Sequence, residues 1–387
     1  MKKDYQKLSI TAHKKSQGKL SVESKMPINN RHDLSIAYTP GVAGPALEIA
    51  KNKKFAYDLT STKNGVAIIS DGSAVLGLGN IGPEAALPIM EGKAVLFKKF
   101  AGIDGFPIVL STQDPEEIIA AVKAIAPTFG GINLEDISAP RCFEIEKRLK
   151  AELEIPVMHD DQHGTAIVIL AGLINALKVV GKKKEKVRIV ISGAGAAGVA
   201  TAKLLNFYGF GSIIVCDTKG IISSKRSDLN QVKKELLKIT NKEKLFGSMH
   251  DALKGSDIFL GVSKANLLNA GDIKTMSPRA IVFAMANPTP EIMPDEAKRG
   301  GAMVAASGRS DFPNQINNVL AYPGIFKGAI ESRTNKITDE MKIAAAVALA
   351  SVVKKPTKEV IIPDPFDKKI VPAVANAIKK IARRYGK

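Results

Sequence analysis

The fold is decided by KVRIVISGAGAAGVATAKLLNFYGFGSIIVCD (186–217), in which a strand, a glycine-rich turn, a helical segment and a second strand follow one another. Gly193, Gly195 and Gly198 give the spacing G-x-G-x-x-G where the first strand ends and the helix begins. In such a unit the first glycine permits a tight turn, the second lets a pyrophosphate approach the backbone, and the third allows close helix–strand packing. The stretch therefore predicts half of a Rossmann fold that binds a nicotinamide dinucleotide.

The start of the predicted helix and the end of the second strand indicate which dinucleotide is bound. Backbone N–H groups at Ala196 and Ala197, together with the helix dipole, favour an anion at the start of the helix. Asp217 closes the second strand, where a carboxylate can accept hydrogen bonds from ribose hydroxyls. A carboxylate there repels a 2′-phosphate, so NAD is the expected cofactor and NADP is the alternative. Three cations lie close enough in sequence to compensate: Lys219, Lys225 and Arg226.

A second G-x-G-x-x-G occurs in GLGNIG (77–82). Its context differs, because the following sequence ends in lysines where an acidic ribose-binding residue would be expected. We therefore expect Gly77, Gly79 and Gly82 to form a glycine-rich turn near the functional site.

The second half of the chain predicts an open, doubly wound parallel sheet, because short β-rich runs alternate with helical or loop sequence. The runs are VRIVIS (187–192), SIIVCD (212–217), DIFLGV (257–262), AIVFAMAN (280–287) and AMVAAS (302–307). Helices are expected after them, over 337–353 and 372–386. At 387 residues the chain is long enough for two domains, and we expect these at 1–160 and 161–387.

The first domain is also expected to be α/β. Its predicted strands are GVAIIS (65–70), GGINLEDI (130–137) and IPVMHDD (155–161), and its predicted helices cover 115–129 and about 164–180. Asp114 is the expected cap of the helix that begins at Pro115.

Two acidic pairs end neighbouring predicted strands: Glu135 with Asp136, and Asp160 with Asp161. Carboxylates at strand ends commonly line the crevice of an α/β protein. Four converging acids would repel one another unless a cation lies among them, and hard oxygen ligands suit Mg²⁺ or Mn²⁺. Helix caps and surface acids are an equally good interpretation of either pair taken alone.

Six segments, in order along the chain, resemble the signature segments of malic enzymes. They are AYTPGVAGP (37–45), EGKAVLFKKFAGID (91–104), INLEDI (132–137), HDDQHGTA (159–166), ANPTPE (286–291) and FPNQINNVLAYPGIF (312–326). The length is similar to that of the small-subunit bacterial and archaeal members. The resemblance implies a malate-binding first domain before the Rossmann domain, and a homodimer. The implied reaction is oxidative decarboxylation of malate to pyruvate and carbon dioxide with NAD (EC 1.1.1.38), dependent on a divalent metal.

The same resemblance implies roles for particular side chains. Lys93 would be the base for the malate hydroxyl, with its pKa depressed by burial near a cation. Asp160 would handle protons or support the metal site, and Tyr38 would protonate enolpyruvate. The metal, acting as a Lewis acid, would be held by Glu135, Asp136 and Asp161.

Asparagines would complete the site. Asn287 would bind the substrate carboxylate beside the cofactor, Asn318 would bind substrate, and Asn317 would serve the nicotinamide amide or the backbone. An Asx turn or a loop cap is the alternative for each. Larger members carry an arginine where this chain has Ala74, so the carboxylate clamp is expected to come from elsewhere.

Composition limits the other classes of function. The net charge of +18 comes largely from lysine runs without interleaved aromatics, so a solvated surface is expected and nucleic-acid binding is not. No secretory or membrane-spanning segment is expected. Cys142 and Cys216 have no metal-like spacing, which favours free thiols in the cytoplasm.

Three alternatives remain beside this interpretation. A metal-independent dehydrogenase sharing the Rossmann half would keep its activity in chelator. A basic nucleic-acid-binding protein would show salt-dependent binding, but would leave the acidic pairs unexplained. His159 and His163 flank one of those pairs, yet two histidines without a third ligand are weak grounds for zinc.

Overall fold

A computed structural model describes residues 4–75 and 77–385. The first of its two sheets has four parallel strands in the order β2-β1-β3-β4. These strands are β1 (Gly65–Ser70), β2 (Asp104–Val109), β3 (Gly131–Leu134) and β4 (Val157–His159). The α/β character expected for the first half is therefore confirmed.

The second sheet has six strands in the order β10-β9-β8-β5-β6-β7. They are β5 (Arg188–Ser192), β6 (Ser212–Asp217), β7 (Gly220–Ile221), β8 (Ile258–Gly261), β9 (Ala280–Ala284) and β10 (Ala302–Ser307). All neighbours pair in parallel except β6 and β7. This order, which runs outward in both directions from β5, confirms the predicted doubly wound sheet.

Helices surround both sheets. Those up to the second sheet are α1 (Tyr5–Ser16), α2 (Arg31–Ala37), α3 (Ala43–Lys51), α4 (Ala56–Leu59), α5 (Pro83–Leu96), α6 (Pro115–Ile125), α7 (Arg141–Glu152) and α8 (Asp160–Val180). The later ones are α9 (Ala196–Phe207), α10 (Gln231–Leu236), α11 (Met249–Leu253), α12 (Ala270–Lys274), α13 (Pro294–Arg299), α14 (Tyr322–Glu331), α15 (Asp339–Val352) and α16 (Ile370–Tyr385). The C-terminal helices are as predicted, and Gly386 lies outside the described residues.

Helix α8 connects the two sheets through a shared core. It packs against α9 and α15, and Asn175 donates to the backbone oxygens of Ala350 and Ile361 at 2.9 and 3.0 Å. Among the described residues, α8 is the one helix long and apolar enough to cross a membrane, but 72% of its most apolar window is buried within the fold. It is therefore the kind of apolar helix that forms the core of a folded domain.

Two predictions about local structure have different outcomes. Asp114 Oδ1 accepts from the backbone N–H groups of Glu116 and Glu117 at 2.8 and 3.1 Å, which confirms the predicted cap. The prediction that Asp160 and Asp161 end a strand is wrong, because β4 stops one residue earlier and both acids lie in the first turn of α8. Carboxylates are stabilised there by the positive end of the helix dipole.

Candidate active site

Lys93 lies at the centre of the candidate site, buried on α5. Its Nζ is 2.7 Å from Oε1 of Glu135 and 2.6 Å from Oδ2 of Asp160. The same nitrogen lies 4.2 Å from the centroid of the Tyr322 ring. Burial alone would lower the pKa of Lys93, but Asp160 and Glu135 outweigh it and hold the pKa well above its usual value. The two carboxylates that face the ammonium group therefore oppose the depression of this pKa that is expected beside a cation.

Three carboxylates beside Lys93 form a compact group. Glu135, Asp136 and Asp161 each offer an oxygen within 4.8 Å of the others. Glu135 and Asp136 follow the end of β3, and Asp161 joins them from α8. Asp136 has a positive φ of 54°, and its backbone N–H donates to Asp161 Oδ2 at 2.7 Å. The two predicted acidic pairs are thus brought together across neighbouring strands.

The environments of these carboxylates differ. Burial raises the pKa of Glu135 well above its usual value, although Lys93 opposes the shift. Burial likewise raises the pKa of Asp160. For Asp161, burial is outweighed by the hydrogen bond from His159, so its pKa is lowered. Counting Asp136, four carboxylates therefore lie in one small region around Lys93 and His159.

The asparagines occupy different places. Asn318 Nδ2 donates to Asp160 Oδ2 at 2.6 Å and so reaches the Lys93 cluster. Asn317 Oδ1 accepts from the backbone N–H of Val319 at 2.9 Å, which is the loop cap considered as its alternative. Asn287 follows β9 and packs against the 77–82 turn, where a Cβ on Gly77 would lie 2.2 Å from its backbone oxygen.

The glycine-rich segment after β1 lies near the functional site, as expected from the sequence. The backbone N–H of Ala74 donates to the carbonyl of Asp136 at 2.9 Å, so the turn lies directly beside the carboxylates. A guanidinium is also present at this turn, since Arg141 Nη2 donates to the buried Asp71 at 2.9 Å. Sequence reasoning missed Arg141, whose position depends on the pairing of β1 with β3.

Tyr38 is not joined to this cluster. Its side chain is 66% exposed at the end of α2. Within residues 4–75 and 77–385, no hydrogen bond links it to Lys93 or to the carboxylates. Tyr322 is instead the buried tyrosine beside Lys93, and the sequence pointed to its segment without singling it out.

The turn at the start of α9 has the form that a dinucleotide requires. Gly193 has a φ of 117°, and a Cβ there would lie 2.6 Å from the backbone oxygen of Val262. A Cβ on Gly198 would lie 1.8 Å from the Gly193 oxygen, which explains the close helix–strand packing. Space is open at Gly195, immediately before the first helical residue, Ala196. The exposed helix N-terminus and this open space fit a pyrophosphate.

Asp217 ends β6 as predicted, but its carboxylate is already engaged. Arg226 donates to its two oxygens at 2.8 and 3.0 Å, and Lys233 donates to Oδ2 at 2.6 Å. Burial raises the pKa of Asp217, but these hydrogen bonds outweigh it and bring the pKa to about 2. Of the three expected cations, Arg226 compensates directly, whereas Lys219 pairs with Asp228. Lys233 was not anticipated.

Comparison with known proteins matches both halves of this arrangement. Residues 17–150 match the family described as "Malic enzyme, N-terminal domain", and residues 162–383 match "Malic enzyme, NAD binding domain". The chain belongs to the malic enzyme family. The fold class, the dinucleotide-binding domain and the family resemblance predicted from the sequence are confirmed by these matches, and the predicted reaction is supported at the level of the family.

Individual relatives are similar over nearly the whole chain. The bifunctional malic/malolactic enzyme of Bacillus subtilis is 55% identical over 98% of this chain and 93% of its own length. The NAD-dependent malic enzyme of Geobacillus stearothermophilus is 55% identical over 95% of this chain and 77% of its own. The crystal structure of the Thermotoga maritima NAD-dependent malic enzyme superposes with a TM-score of 0.93 at 49% identity, covering 96% of this chain and 98% of that one.

Proposed function

We propose that this member of the malic enzyme family oxidises malate with NAD and decarboxylates the product to pyruvate, the reaction of EC 1.1.1.38. The observation that carries the proposal is the position of Lys93, within 2.7 Å of both Glu135 and Asp160 and beside the three-carboxylate group. A base for a hydroxyl proton and ligands for a cation are thereby adjacent. We divide the chain at 160/161, between the malate-binding and dinucleotide-binding domains.

The metal ligands in this proposal are Glu135, Asp136 and Asp161. Three clustered carboxylate oxygens suit a hard divalent cation, Mg²⁺ or Mn²⁺. His159 and His163 contribute no atom to the group among the described residues, which argues against zinc. When bound, the cation would supply Lewis-acid polarisation of the substrate oxygens.

Lys93, Asp160 and the asparagines would handle protons and substrate. Lys93 can accept the hydroxyl proton only after its own proton has moved, and Asp160 Oδ2 lies 2.6 Å away to receive it. Asn318 would orient the substrate carboxylate from beside Asp160. Asn287, after β9, would donate to substrate on the cofactor side. Asn317 would contribute through the backbone it caps.

For the dinucleotide, the Gly193–Gly198 turn and Ala196 and Ala197 would bind the pyrophosphate, and the nicotinamide would accept the hydride. Asp217 would favour NAD. Arg226 and Lys233 neutralise that carboxylate, which supports measurable use of NADP as well.

We further propose a homodimer in which Tyr38 acts in the partner's site. Among the described residues, 14 of the 24 exposed large hydrophobic side chains lie between residues 5 and 59. Helices α1 to α4 contain no buried residue. So large an apolar surface is typical of an interface, and a second copy would cover it while bringing Tyr38 to Lys93. The buried, unpaired thiols of Cys142 and Cys216 are in keeping with a cytoplasmic enzyme.

The reaction is tested by following nicotinamide reduction at 340 nm with malate, NAD or NADP, and Mn²⁺, and by repeating the assay in EDTA. Metal-dependent reduction with formation of pyruvate supports the proposal. Reduction that persists in EDTA, or that yields oxaloacetate without carbon dioxide, contradicts it.

The dimer is tested by subunit complementation. Lys93→Ala and Tyr38→Phe should each be inactive. If each site takes Lys93 from one copy and Tyr38 from the other, every mixed dimer regains one of its two sites, so an equimolar mixture should recover about a quarter of all sites. No restoration, or a monomer in sedimentation, would contradict the shared site.

A further inference from the structure

A buried polar network lies behind the metal-binding carboxylates, and Glu146 of α7 is its centre. This side chain is buried, and both of its oxygens are engaged. Oε1 accepts from the backbone N–H of His159 at 2.9 Å and lies 2.6 Å from Nζ of Lys150. Oε2 lies 2.9 Å from Nε2 of His163 and accepts from Nε2 of Gln162 at 3.4 Å. A carboxylate with four partners is fixed in one orientation.

The network extends from Glu146 to a metal ligand through Gln162 and His159. Gln162 Nε2 donates to His159 Nδ1 at 2.9 Å. Since the amide nitrogen of Gln162 can only donate, Nδ1 is the acceptor and the ring proton is on Nε2. That nitrogen lies 3.0 Å from Asp161 Oδ2, which also accepts the backbone N–H of Asp136 at 2.7 Å. Two donors thus hold Oδ2 of Asp161 and fix the orientation of this carboxylate.

We propose that Glu146 is a positioning residue for the metal centre, acting through His159 and Gln162 to orient Asp161. The inference rests on the proposed function, in which Asp161 is a ligand. Groups that hold metal ligands in place typically change metal affinity 10–100-fold when they are removed. Glu146 comes from a different helix than Asp161, so it also fixes α7 against the start of α8.

The test measures Mn²⁺ binding to the metal-free full-length protein, without substrate or dinucleotide, from the EPR signal of free Mn²⁺. Glu146→Gln and Gln162→Met should each raise the Kd for Mn²⁺ about tenfold or more. Glu144→Gln is the matched control, because Glu144 lies on the same helix, its side chain is 60% exposed, and it pairs with Arg148 at 3.9 Å instead of contacting His159 or Gln162. NADH binding, followed by fluorescence, should be unchanged in all three variants.

The possible outcomes separate this inference from the proposed function. A Kd for Mn²⁺ equal to that of the unsubstituted protein in folded Glu146→Gln and Gln162→Met overturns the positioning role alone. Parallel losses of Mn²⁺ and NADH affinity also overturn it, because they indicate general disruption. Absence of Mn²⁺ binding by the unsubstituted protein overturns the metal centre as well. If Glu146→Gln does not fold, Gln162→Met decides, since it removes the donor to His159 and leaves the buried carboxylate in place.

Discussion

Asn318 Nδ2 and Lys93 Nζ each lie 2.6 Å from the same oxygen, Oδ2 of Asp160. Asn318 belongs to the segment after the second sheet, whereas Lys93 belongs to the first domain. One buried carboxylate therefore contacts both halves of the chain. Its other oxygen, Oδ1, is buried and has no hydrogen-bond partner within the described residues. A proton arriving on Asp160 would therefore change the contacts of both neighbours at once.

Replacing Asp160 with asparagine should reduce kcat by 10²- to 10⁴-fold, the usual range for loss of a proton-transferring group. The amide cannot take the proton that Lys93 must lose. Affinity for Mn²⁺ should stay close to that of the unsubstituted protein, because Asp160 is outside the three-carboxylate group. Steady-state kinetics and Mn²⁺ EPR measure the two effects. An Asp160→Asn variant with normal kcat would exclude the proton transfer.

Asp136→Asn should differ from Asp160→Asn in that its main effect is a loss of Mn²⁺ affinity. The substitution removes one charged ligand from the group. Mn²⁺ should also raise the unfolding temperature of this variant less than that of the unsubstituted protein, because one ligand is missing. Calorimetry with and without Mn²⁺ measures both effects. Undiminished stabilisation by Mn²⁺ in this variant would contradict the assignment of Asp136 as a ligand.

The sequence predicted those features whose signal is local. The cap at Asp114 and the Gly193–Gly198 turn depend on neighbouring residues, and both form as expected. The strand β2 was not predicted, because Pro107 interrupts its apolar pattern. The prediction that Asp160 ends a strand was wrong, since an acidic residue after an apolar run can either end a strand or begin a helix.

Contacts between segments that are distant in sequence were not predicted, because no local sequence pattern indicates them. Tyr322 beside Lys93, Arg226 with Lys233 on Asp217, and Glu146 beneath His159 all depend on which elements the fold places together. Sequence alone identifies the residue types for the chemistry, but the partners that set their charge and orientation come from the packing.

Cofactor preference should shift when Asp217 is replaced with serine. The substitution removes the carboxylate that Arg226 and Lys233 now neutralise and leaves Arg226 paired with Asp228 alone, so both cations can face a 2′-phosphate. We expect the ratio of kcat/KM for NADP to that for NAD to rise about tenfold or more, as one charged hydrogen bond permits. Because the pKa of Asp217 is about 2, the ratio in the unsubstituted protein should not change between pH 6 and 9 through this group. Asp251→Asn is the control, because it removes an exposed carboxylate that pairs with Lys254 and not with Arg226 or Lys233. An unchanged ratio in Asp217→Ser would show that Asp217 does not set the preference.

Both thiols should be inert in the folded protein. Burial raises the pKa of Cys216 to about 12, so its reactive thiolate is scarce at pH 8 and would increase only at much higher pH. Cys142 is fully buried. Ellman's reagent at pH 8 should therefore detect neither thiol until the protein is denatured, and then both. Fast reaction of Cys216 in the native enzyme would show that β6 opens.

Tyr322 should be needed for its ring and not for its hydroxyl. The ring packs edge to face against Phe97, with 4.7 Å between the ring centroids, and Lys93 Nζ lies over its face. The hydroxyl is buried without a hydrogen-bond partner in the described structure, so Tyr322→Phe should keep kcat and raise the free energy of unfolding by about 1 kcal/mol. Tyr322→Ala should lower it by about 3–5 kcal/mol, the usual cost of removing a buried aromatic ring, and should also disturb Lys93. Urea unfolding measures the stabilities, and a large fall in kcat for Tyr322→Phe at normal stability would instead identify the hydroxyl as part of the proton-handling machinery beside Asp160.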